Sequence, residues 1–67
     1  MSLYDYKESL KIAKKDYGFY ALIMAAMRKA DSINIVLLQI TFPEIYEELK
    51  RRYNAPGGIL EEEESND

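Results

Sequence analysis

Gly18 to Met27, GFYALIMAAM, is a run of ten residues without a charge, and the Tyr20 hydroxyl is its one conventional hydrogen-bonding side-chain group. The run is too short to cross a membrane, which takes about 20 apolar residues, and Arg28, Lys29 and Asp31 close it at once. It therefore reads as a core helix around which the other elements pack. It follows a polar, lysine-rich stretch and has no small-residue cleavage pattern behind it, so it does not read as a secretory signal. The expected compartment is a bacterial-type or general cytoplasm.

The patterning on either side is helical. Ser2 with Asp5 three residues later marks a helix start, and the spacing predicts a helix over about 3–14 with Leu3, Tyr6, Leu10 and Ala13 on one stripe. Asp16 is the expected cap of the second helix, about 17–30, whose primary stripe is Tyr20, Ile23, Met24 and Met27. Phe19, Leu22, Ala26 and Ala30 form a second apolar side, and Ala21, Ala25 and Ala26 leave room for a close neighbour. Asp31 or Ser32 caps a third element over about 32–40. Its β-branched residues suit a strand, but Ile33, Val36, Leu37 and Ile40 fit a helical stripe and no second strand is available to pair. Helix is the better reading.

Thr41-Phe-Pro-Glu44 has the form of a capping box with proline in the first turn, so a fourth helix begins there. Ile45, Leu49 and Tyr53 continue its apolar face. Glu47/Arg51 and Glu48/Arg52 are acid-first pairs four residues apart. Asn54-Ala-Pro-Gly-Gly58 then ends the helix, with Asn54 suited to a left-handed cap. The expected fold is all-α: a small bundle of three or four short helices over residues 1–60, followed by a disordered acidic tail over 61–67.

A chain of 67 residues makes one domain, and a domain this small is marginal on its own. It contains neither cysteine nor histidine, so disulfides cannot help and the usual zinc ligands are missing. Association is the remaining common device. The formal charge is −3, but five of the 12 acids lie in Glu61–Glu64 and Asp67, which leaves nine bases against seven acids over residues 1–60, a balance of +2. A nearly neutral body gives no strong case for nucleic acid or an anionic membrane.

Catalysis has little to work with. Ser2, Ser32 and Ser65 are explained by caps or the tail, and Glu44, Glu47 and Glu48 lie on a polar helix face rather than in a desolvated pocket. No enzyme activity, cofactor, metal or small-molecule substrate is expected. Lys7, Lys11, Lys14 and Lys15, with Arg28 and Lys29, could neutralise phosphates, and a nucleic-acid-binding regulator using this basic face is the alternative reading. Against it, the N-terminal half of the fourth helix is acidic and the third is nearly all apolar, so neither suits a major groove.

Surplus apolar surface is what exceeds the ordinary. Ile35 and Leu38 lie opposite the third-helix stripe, and the second helix has two apolar sides. Leu22, Ala26, Ile35 and Leu38 are therefore the candidate protein interface, with a homo-oligomer or another protein as the expected partner.

The segment Tyr17 to Gly58, with FYALIMAAMRKAD and then FPEIYEELKRRYNAPGG, resembles short uncharacterised proteins carried by bacterial phages and mobile elements. That resemblance implies a small accessory or regulatory role and transfers no site residue.

Overall fold

A computed structural model of the chain describes the fold of residues 1–64, and residues 65–67 lie outside it. Four helices follow one another: α1 (Leu3–Ala13), α2 (Phe19–Lys29), α3 (Ser32–Thr41) and α4 (Pro43–Tyr53). A 3₁₀ turn at Pro56–Gly58 leads to a last helical turn, α5 (Glu61–Glu64). There is no strand among the described residues, so the fold is the expected small all-α bundle, and residues 32–41 are helix.

The helix starts divide into two kinds. At α1 the capping box is complete: the Asp5 amide donates to Ser2 Oγ at 3.2 Å and the Ser2 amide donates to Asp5 Oδ2 at 3.1 Å. At α3 the Asp31 carboxylate accepts the Asn34 amide at 2.8 Å. The other two starts carry no side-chain cap. Gly18 precedes α2, and Asp16 instead takes a left-handed conformation, φ 57°, at the end of α1. The expected Asp16 cap is thus replaced by a turn residue, a place aspartate tolerates.

Thr41 is likewise not the cap of α4. It is the last residue of α3, and its hydroxyl donates to the Leu37 carbonyl at 2.8 Å. Phe42 alone joins the two helices, and Pro43 opens α4 where its missing N–H costs nothing. The Phe42 ring meets Phe19 edge-on at 6.2 Å, which ties the start of α2 to the α3–α4 joint.

At the far end of α4, Asn54 stays right-handed at φ −89° and its side chain donates to the Lys50 carbonyl at 3.0 Å. The left-handed positions fall on Gly57 and Gly58, φ 62° and 71°, where a missing Cβ removes the strain. The chain thereby folds back, and Leu60 is buried while Ile59 stays half exposed.

Helix α4 sits at the centre, packed against α2, α3 and the 3₁₀ turn, and α2 also touches α3. Among the described residues α1 makes no close backbone approach to any of these helices. The molecule is consequently elongated, 46 × 27 × 17 Å, with a radius of gyration of 14.4 Å against roughly 11 Å for a compact chain of this length. No described helix is long and apolar enough to cross a membrane.

Helical order also continues past residue 60. Glu61–Glu64, expected as part of the disordered tail, form α5, and Arg51 and Arg52 hold it to α4. The remainder of that expected tail, 65–67, lies outside the described residues.

Candidate interaction surface

The core is thin. Among the described residues only Met27 and Leu60, 4% and 8% exposed, are buried apolar groups. Around them the half-buried positions of α2 are Leu22, Ile23 and Met24, followed by Ala30 at its C-cap, and those of α4 are Ile45, Tyr46, Leu49 and Arg52. In α3 they are Ile35 and Leu38, continued by Phe42. The spacing 35, 38, 42 is one helical stripe, and it faces the neighbours that α3 has, α2 and α4.

Helix α3 is therefore turned about half a revolution from the expected orientation. Ile33, Val36, Leu37 and Ile40, read as the buried stripe, are the solvent face, with Ile33 and Ile40 each 72% exposed. Ile35 and Leu38, read as an outward interface, help to close the bundle. The physical reason is the one-residue joint. With only Phe42 between them, the inner face of α3 must run continuously into α4, and Ile35 and Leu38 share the Phe42 side.

Leu22 and Ala26, the other expected interface residues, do line a surface depression. With Ile12, Tyr17, Ala21 and Ala25 they form an apolar groove of about 560 Å³ where the end of α1 approaches α2, and Lys15 and Lys29 stand at its edges. On the other side of Ala26, a shallower trough of about 400 Å³ runs between α2 and α3, lined by Ala30, Asn34, Leu37 and Leu38 as well. Ala26 and Lys29 line both depressions.

The basic residues do not gather in one place. Lys15 and Lys29 flank the α2 groove, Lys11 pairs with Glu8 at 2.8 Å, and Arg28 lies elsewhere, beside Tyr46, Leu49, Lys50 and Tyr53. Lys7 is on α1 and Lys14 is its C-cap, and the backbone of α1 stands off the bundle. Of the six residues of the basic-face reading, Lys15 and Lys29 are brought to one depression, and Arg28 lines another.

Arg52 is the strongest electrostatic feature of the molecule. Its guanidinium donates from Nη1 and Nη2 to the two oxygens of Glu63 at 2.9 and 2.8 Å, from Nε to Glu48 at 3.1 Å, and from Nη1 to the Gly58 carbonyl at 2.8 Å. Such a forked pair is short and directional. The Arg52 hydrogen bonds and the Leu60 amide hold the Glu63 carboxyl down at about 2, while Glu63 and then Glu48 raise the Arg52 guanidinium above its ordinary range. Arg51 likewise lowers Glu62 across a 2.6 Å contact. Every charge in this cluster has a partner, so it works as a clasp on the C-terminal turn and not as a reactive centre. Sequence spacing revealed the Glu48–Arg52 pair; the pairs to residues 62 and 63 depend on the turn at Gly57 and Gly58.

Comparison of the chain with protein-family models, with curated proteins and with solved structures found no match.

Proposed function

We propose that this chain is a small non-enzymatic protein-interaction module that works as a homo-oligomer. The observation that carries the reading is surface area. A compact monomer of 7.8 kDa exposes roughly 4,400 Å², whereas this chain exposes 5929 Å². The excess is more than about 1,000 Å², comparable with the ~800 Å² that each partner contributes to a standard protein interface.

Large apolar side chains share in that exposure. Leu3, Tyr6 and Leu10 along α1 and Ile33, Val36, Leu37 and Ile40 along α3 are all exposed. An isolated helix of about 11 residues is marginal in water without a packed face. A second chain would supply that face.

Sedimentation equilibrium of the full chain from micromolar to hundreds of micromolar is the direct test, with thermal melting over the same range. The expected result is a dimer or higher species whose melting temperature rises with concentration. A chain that stays monomeric throughout and melts at one temperature would overturn the proposal. Titration with mixed-sequence DNA and RNA in the same buffer separates the alternative, because phosphate binding must weaken steeply with salt.

A further inference from the structure

We infer that the solvent face of α3 is the contact between two copies, packed helix against helix about a twofold axis; the inference rests on the self-association proposed above and assigns it a face. Ser32–Thr41 contains no charged residue, although 31% of the chain is charged. In a twofold contact the same face is presented by both copies, so a face without charges brings no like-charge pairs into the contact and leaves none unpaired. The α1 stripe is flanked by Lys7 and Lys11 on its own helix, whereas the only charged side chain in the lining of the trough beside the α3 stripe is Lys29.

Shape points the same way. Leu37 is 56% exposed and stands on the wall of the trough between α2 and α3, whose lining includes the small side chains of Ala26 and Ala30. Ala26 and Ala30 let a second helix approach closely, and Leu37 of each copy can enter the other's trough as Ile33, Val36 and Ile40 close around it. Lys29 lies at the edge, where its stem can cover apolar surface while the ammonium stays in water. The two α3 helices crossing antiparallel also oppose their dipoles.

The cysteine-free chain makes the test clean. Leu37→Cys introduces one thiol beside the inferred axis, and mild oxidation of the full-length variant at micromolar concentration is expected to give a disulfide-linked dimer rapidly. Tyr6→Cys, on α1, is expected to give little under the same conditions. In parallel, Leu37→Glu is expected to raise the dimer Kd at least about thirtyfold, as loss of a central contact does, while circular dichroism shows the helix content of the wild type.

If wild type sediments as a dimer but Leu37→Glu leaves it intact, or if position 6 links and position 37 does not, the α3 assignment is overturned and self-association stands. If wild type is monomeric, both are overturned. Should Leu37→Glu lose its helix content, the linking rates at positions 37 and 6 decide between the faces.

Discussion

Helices α1 and α4 are both 11 residues long, both amphipathic, and both carry acid toward the N-terminus and base toward the C-terminus. Their circumstances are opposite. Helix α1 has a complete capping box and a Glu8–Lys11 pair, yet its backbone stays apart from the other helices among the described residues and only its end, at Ile12, nears α2. Helix α4 has no side-chain cap at its start, yet packs against α2, α3 and the 3₁₀ turn. Local hydrogen bonds stand where packing is missing, and packing stands where the cap is missing. An apolar stripe is thus only an opportunity for burial; whether it is used depends on how the neighbouring turns direct the chain.

The largest expected effect separates the two regions outright. Met27, at 4% exposure, lies on the side of α2 that the bundle buries, and truncating a buried methionine costs about 2–5 kcal/mol, comparable with the whole stability of a core this small. Met27→Ala should abolish cooperative thermal unfolding followed by circular dichroism. Leu10→Ala on α1, where the side chain is 47% exposed, should leave the transition of the dilute chain within roughly 0.5 kcal/mol of wild type. Equal losses at the two sites would break the contrast.

Strong acid should loosen the C-terminal turn. The Glu63 carboxyl is held at about 2 and Glu62 is also lowered, so their contribution to folding is full above the ordinary carboxylate range. It is lost as pH falls from there toward about 2. The melting temperature should decline over that window, and Glu63→Gln should flatten much of the decline. Arg52→Ala should lower the melting temperature at neutral pH, because it also removes the partner of Glu48 and of the Gly58 carbonyl. A pH-independent Arg52→Ala deficit would mean that the Gly58 contact alone closes the turn.

These cases also show what could be read from the residues. Helix existence was legible almost throughout, since Ser2 and Asp5, Asp31, Pro43 and the glycine pair act within a few residues of where they stand. Facing was not. In α3 both sides are apolar, and periodicity cannot choose between Ile33, Val36, Leu37 and Ile40 and the opposite Ile35 and Leu38. The shortness of the Phe42 joint does choose, and it was a usable signal. The Arg52 clasp was half legible: the contact with Glu48 is helical spacing, but Glu63 arrives 11 residues later through a reversal that only the backbone angles reveal. Of the candidate interface, Leu22, Ala26 and Leu38 line surface depressions, whereas Ile35 lines none of those described, and Leu22, Ile35 and Leu38 are all half-buried.

A smaller effect should be confined to α1. Ser2→Ala removes the hydroxyl that accepts the Asp5 amide and should cost about 1 kcal/mol of local helix stability. With no packing to offset it, the loss should appear as faster amide exchange and reduced helical carbon shifts over residues 3–13. Exchange in α4 should be unaffected. If α4 responds as strongly as α1, the two regions are coupled more tightly than their separation implies.

The smallest expected effect is at Thr41, and it tests the other half of the contrast. The hydroxyl donates backward to the Leu37 carbonyl at 2.8 Å, a bond to an acceptor already near the end of a helix, and threonine is a poorer helix former than alanine. Removing it forfeits a weak local bond and gains helix propensity, so Thr41→Ala should change stability by no more than about 0.5 kcal/mol in chemical denaturation. A loss of about 1 kcal/mol or more, with exchange quickening at the amides of Glu44 and Ile45, would show the hydroxyl capping α4 in solution. In that event α4, like α1, would depend on its cap, and packing against α2 and α3 would not be enough to hold its first turn.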